Sequence, residues 1–87
     1  MARYELRFKT SVAKDLRDVP KPDLRRILER IEALRDDPRP AGCEKLSAQE
    51  LYRIRQGNYR ILYEILDLEV IVEVVKIGHR REVYRSR

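Results

Sequence analysis

Hydrophobic and polar positions alternate at the start of the chain. In "ARYELRF" (residues 2–8), Tyr4, Leu6 and Phe8 fall on one side and Arg3, Glu5 and Arg7 on the other. A period of two predicts a half-buried strand with one wet face. The period then changes. Val12, Leu16 and Val19 are spaced for the inner side of a short helix, which Thr10 or Ser11 can cap. "VPKP" at 19–22 ends it, and Pro20 and Pro22 suit a turn followed by the first turn of a new helix. Leu24, Ile27, Leu28, Ile31 and Leu34 recur at spacings of three and four, which gives a second helix one apolar stripe. Arg25 and Glu29 can pair on its outer face, where the charges serve solubility. "DDPRPAG" at 36–42 stops the helix in a loop.

The second half is strand-rich. Residues 51–56 and 59–66 read as strands joined by Gly57-Asn58, and "EVIVEVVKI" at 69–77 reads as another after an Asp67-Leu68 turn. Beyond Gly78, "HRREVYRSR" reads as an irregular or short-strand tail. The order is strand, helix, helix, then three or four strands. This predicts a small α+β domain over residues 1–87, with an antiparallel-dominated sheet and a helical hairpin on one face. The other sheet face must meet water or a ligand.

A two-residue loop at Gly57-Asn58 fixes a register. Tyr52 pairs with Tyr63, Ile54 with Ile61, Arg55 with Arg60 and Arg53 with Leu62. Tyr52, Ile54, Ile61 and Tyr63 then form the core face, and Arg53, Arg55 and Arg60 share the open face. Continuing across Asp67-Leu68 sets Glu73 opposite Leu62, among the arginines. Like charges directly opposite one another destabilise a sheet. Either the arginines splay into solvent with Glu73 offsetting part of their charge, or the face is built to take an anion. Arginine's planar fork of donors suits phosphate. The tail adds Arg80, Arg81 and Arg85 with His79 and Tyr84, and a basic face with interleaved aromatics suits nucleic acid.

Composition narrows the field. The 87 residues carry 20 basic and 15 acidic side chains, a net charge of +5, and the pI is near 9.7. That balance favours a polyanionic partner. From Lys76 onward five basic residues face one acidic residue, whereas the first fifty residues hold twelve and ten. Cys43 is the only cysteine, so there is no internal disulfide, as in a reducing compartment. His79 is the only histidine, and no metal or cofactor is expected. No signal peptide or membrane-length apolar run is present, which predicts a soluble cytoplasmic protein with no membrane partner and no small-molecule ligand.

"ELYRIRQGNYRILYEI", followed by a valine-rich strand and "GHRREVY", resembles the RelE/ParE toxin superfamily. The likeness extends to the first strand, the helical hairpin ending in "DDPRP" and the "KL" before the central strands, so it spans essentially the whole chain. The closing "HRR-VY" is nearer the RelE branch than the ParE branch. The resemblance implies the toxin of a toxin–antitoxin pair, a ribosome-dependent endoribonuclease that cuts mRNA in the vacant decoding site and is held in check by a cognate antitoxin. The expected partners are therefore the antitoxin, mRNA and the ribosome. The alternatives are a ParE-like DNA gyrase inhibitor and a catalytically inactive RelE-fold protein that only binds its antitoxin.

Carried over residue by residue, the family's catalytic cluster falls on Arg53, Arg55, Arg60, Arg80 and Tyr84. The best-studied member type has lysines where this chain has Arg53 and Arg55, one of them a proposed general base; arginine holds its proton too tightly for that role. The chain also ends too early for the C-terminal helix that some members carry. His79 is a further candidate for proton transfer, because an unperturbed imidazole titrates in the useful range.

Overall fold

The computed structural model describes residues 3–46 and 50–79. The element order is β1 (Glu5–Phe8), α1 (Thr10–Arg17), α2 (Lys21–Ala33), β2 (Glu44–Lys45), β3 (Leu51–Gln56), β4 (Tyr59–Leu66) and β5 (Ile71–His79). The strands form one five-stranded sheet in the order β1-β5-β4-β3-β2. β1 runs parallel to β5, and the other pairings are antiparallel. This is the expected α+β arrangement, with β2 as a fourth strand after the helices.

The apolar stripes meet where the pattern puts them. Val12 of α1, Ile27 and Ile31 of α2, and Leu34 just beyond it bury against Ile54, Ile61, Tyr63, Ile65, Val72 and Val74. Both helices therefore lie on one face of the sheet. α1 starts without a side-chain cap: Lys9 takes the cap position, and Thr10 and Ser11 are already helical. Pro20 takes the cap position of α2, with Pro22 in its first turn, where a missing N–H costs nothing. Asp23 at its start and Arg30 near its end complement the helix dipole. β1 is shorter than the alternation suggests, and Phe8 stays 44% exposed at its end rather than joining the core. No helix among the described residues is long and apolar enough to cross a membrane.

The β3–β4 hairpin has the register read from sequence, residue for residue from Tyr52↔Tyr63 to Gln56↔Tyr59. Gly57, with φ 60°, takes the left-handed position that a type II′ turn requires at its first central residue. The β4–β5 hairpin differs. Its loop is residues 67–70, closed by Leu66↔Ile71, with Val70 at φ 58°. Asp-Leu lacks the glycine or asparagine of a tight two-residue turn, so the chain takes a wider one. The pairing moves by two, giving Ile65↔Val72 and Tyr63↔Val74. An even shift preserves the apolar face but moves Glu73 opposite Glu64, away from Leu62.

A β-bulge follows: Tyr63 pairs with Val74 but Leu62 pairs with Lys76, so Val75 is the extra residue. Unbroken alternation would turn Lys76 into the core. The bulge instead sets Ile77 opposite Ile61 and Gly78 opposite Arg60.

Candidate nucleic-acid interface

The open face is built on the two central hairpin strands. Arg55 and Arg60 are directly opposite each other across β3–β4, and Arg53 lies one step along the same face, opposite Leu62. Their environments differ. Arg55 is exposed. The Arg53 side chain is 16% exposed and forms an ion pair with Glu44, its register partner on β2. Arg60, on the central strand, is only 3% exposed. A guanidinium that deep is costly unless its surroundings answer the charge, so Arg60 belongs to the sheet and does not wave in solvent. Gly78, its register partner on β5, is buried as well and contributes no side chain there.

The charge offset expected from Glu73 comes from Glu44. The wider β4–β5 turn carries Glu73 to Glu64 and Arg7, and the two-residue β2 supplies the carboxylate next to Arg53. Nothing in the apolar pattern marks so short an edge strand; the only signal is an acidic residue in the segment before β3. The structure also brings in Arg30 from α2. Its Nη2 lies 3.4 Å from the carbonyl oxygen of Arg55. The charge pattern of α2 alone gave it no role beyond solubility.

His79 is not with the arginines. It pairs with Tyr59 at the end of β5, one step from Gly78, so strand parity puts it on the opposite face. Its ring meets Tyr59 edge-on, with centroids 5.6 Å apart. Among the described residues the open face carries no aromatic ring; Tyr52 and Tyr63 are in the core. Arg80 and Tyr84, with Arg81 and Arg85, lie outside the described residues.

Behind the site, the "DDPRP" loop is fastened to the sheet. The Tyr63 hydroxyl donates to the Pro38 carbonyl at 2.8 Å, and burial pushes the phenol's pKa up. Arg39 donates to Asp67 at 2.8 Å and to the Tyr52 hydroxyl at 3.2 Å, with its guanidinium 5.2 Å from the Tyr52 ring centre. Tyr4 adds a 2.7 Å hydrogen bond to Asp67. The bonds from Arg39 and Tyr4 hold the Asp67 carboxyl below its ordinary pKa. This network stiffens the core-side support of the strands that carry the arginines.

Comparison with known proteins places this arrangement. The profile of the ParE toxin of type II toxin-antitoxin systems (parDE) matches residues 6–84. The chain belongs to this toxin family. Its similar relatives in the family carry RelE-type names. Toxin RelG of Mycobacterium tuberculosis is 34% identical over 94% of this chain and 97% of its own length. The archaeal RelE–RelB complex from Pyrococcus horikoshii OT3 contains a chain of the same fold, with a TM-score of 0.82 and 30% identity over 90% of this chain and 96% of that one. The toxin-antitoxin complex RelBE2 of M. tuberculosis gives a TM-score of 0.79 and 28% identity, covering 90% and 99%. The central hairpin with its arginine face is thus the middle of a RelE-like toxin fold.

Proposed function

We propose that the chain is a ribosome-dependent mRNA endoribonuclease, restrained by an antitoxin. The observation that carries this reading is the cross-strand pair Arg55–Arg60, with Arg53 beside it. A sheet gains nothing from opposing like charges, whereas an anionic substrate does. The RelE-type names of its relatives support mRNA over other anions, and the RelE–RelB complexes support an antitoxin partner. Action on the ribosome implies a cytoplasmic setting.

The reaction is a transesterification. The 2′-oxygen forms a bond to the adjacent phosphorus, its proton passes to a base, and the P–O5′ bond breaks as the leaving oxygen takes up a proton. The phosphorane-like transition state carries more negative charge than the starting diester. Fixed guanidinium groups therefore stabilise it more than the ground state. Arg60 and, through the family correspondence, Arg80 engage the scissile phosphate. Arg53 and Arg55 add field and hold the backbone, and Tyr84 orients the 2′-hydroxyl or stacks on a base. Without a strong acid–base pair, activity depends on the ribosome to position the mRNA.

The profile match to ParE favours a second reading, a gyrase inhibitor without catalysis of its own. One experiment separates the two: add the protein to a cell-free translation mixture and map the mRNA ends. Codon-spaced cuts are expected. Because Arg60 is buried, the variants are Arg60→Gln and Arg60→Lys, each checked for native circular dichroism. The rate should fall by roughly 10²–10³-fold in folded Arg60→Gln, as for loss of a fixed transition-state donor. Full activity in that variant overturns the role of Arg60, and intact mRNA with accumulating gyrase–DNA breaks overturns the nuclease reading.

A further inference from the structure

A second basic feature adjoins the arginine face. Arg30, Gly42, Cys43, Glu44 and Arg55 line an open hollow of about 520 Å³ where α2 meets the β2–β3 edge of the sheet. Gly42, at φ 91°, turns the chain into β2 along its wall. Two of the five lining residues are arginines, from different elements. Among the described residues neither Arg30 nor Arg55 makes an ion pair, and Arg30 uses its fork of donors only on the Arg55 carbonyl. The one carboxylate in the lining, Glu44, is engaged by Arg53. The hollow is therefore a concave cationic surface whose acid is already neutralised, and it joins the open face through Arg55.

We propose that this hollow is a subsite for backbone phosphate of an RNA strand, with Arg30 and Arg55 as its binding residues. It rests on the nucleic-acid reading of the neighbouring face and extends it around the sheet edge. A guanidinium pair spanning a concave surface suits a phosphodiester better than a base edge, because both forks offer donors and no acceptor. Arg55 then has two duties, towards the phosphate between the strands and towards the next stretch of chain in the hollow.

Cys43 makes the proposal testable, because the chain's single thiol lines the same hollow and reports its occupancy. The probe is a 2′-O-methyl oligoribonucleotide of about a dozen nucleotides, which cannot be cut and is long enough for a single-strand site. It should slow alkylation of Cys43 by iodoacetamide. In Arg30→Gln, checked for native circular dichroism, protection should need more RNA. Its log–log dependence on salt should also be shallower by about 0.7, the loss of one phosphate contact. Arg30→Lys should recover part of both. Protection by the oligonucleotide alone assigns the subsite to the substrate strand; protection only by vacant small ribosomal subunits assigns it to ribosomal RNA, and either result supports a phosphate subsite. Absence of protection by both, or an unchanged salt slope in Arg30→Gln, overturns it. If wild-type protein makes codon-spaced cuts while Cys43 stays unprotected, the subsite fails and the nuclease reading stands. Protection without cuts has the reverse meaning.

Discussion

Gly78 and His79 are neighbours in sequence, yet one faces Arg60 and the other faces Tyr59 across the same ladder. A single step along a strand changes faces, so the imidazole that sequence offers as a proton acceptor is on the helix side of the sheet. Its edge-on contact with Tyr59 is a packing role. His79→Ala should therefore keep the wild-type cleavage rate in the translation assay, with the same pH profile, at a small cost in thermal stability. A pH profile that loses its acidic limb in that variant would return His79 to the chemistry. At this scale the sequence is legible as parity and illegible as depth. Alternation separates Arg53, Arg55 and Arg60 from Tyr52 and Ile54, but it does not distinguish exposed Arg55 from Arg60, which is only 3% exposed.

The bulge in β5 is the element that adjusts the site. It keeps Lys76 out of the core and brings Gly78, instead of Ile77, beside Arg60. β1 covers β5 only as far as Val74, and beyond it α1 supplies a partner: Asp15 Oδ2 accepts the Ile77 N–H at 3.1 Å. The same carboxylate is 3.8 Å from Lys76 Nζ, with only 19% of the Asp15 side chain exposed. The backbone bond is the stronger of the two, since it is shorter and more shielded. Asp15→Ala should destabilise the fold by about 1–3 kcal/mol in urea unfolding, the range for losing a hydrogen bond to a charged group. Asp15→Asn keeps an acceptor for Ile77 and should lose less. Equal losses would mean that the Lys76 pair carries the effect. The irregularity has a trace in sequence. In "VIVEVVKI" the alternation that puts Val72 and Val74 inside would next put Lys76 inside, and only one extra residue restores Ile77 to the core. The wider turn before it had a trace too, in an Asp-Leu pair unsuited to a tight hairpin. β2 had none, because two residues are too few to show a period.

At the scale of the molecule, three distant segments converge on Asp67. Tyr4 precedes β1, Arg39 lies in the loop after α2, and Asp67 opens the β4–β5 turn; Arg39 continues on to Tyr52 and Glu50 before and within β3. Helical and strand periodicity cannot announce such a cluster, since each member sits in a loop or at a strand end. In the sequence, "DDPRP" marks only a loop after α2. The network ties the first strand to the central hairpin at the end of the sheet away from the Gly57 turn. Its acids set a pH limit. Hydrogen bonds from Arg39 and Tyr4 lower the Asp67 pKa from its ordinary 3.8, and those from Tyr52 and Lys45 lower that of Glu50 from 4.5. Groups with depressed folded-state pKa values contribute their full stabilisation above the unfolded values and lose it as pH falls through the folded ones. Thermal stability should accordingly hold near neutrality and decline below about pH 4, where unfolded carboxyls bind protons that the folded ones resist. The side chains of Asp67 and Glu50 are 48% and 47% exposed, so the effect is modest and shrinks with added salt. Asp67→Asn should lower the melting temperature at pH 7 and flatten its decline between pH 5 and 3. If the wild-type and Asp67→Asn curves run parallel across that interval, the clip holds the loop by packing of Arg39 on Tyr52, and the charge of Asp67 contributes nothing to it.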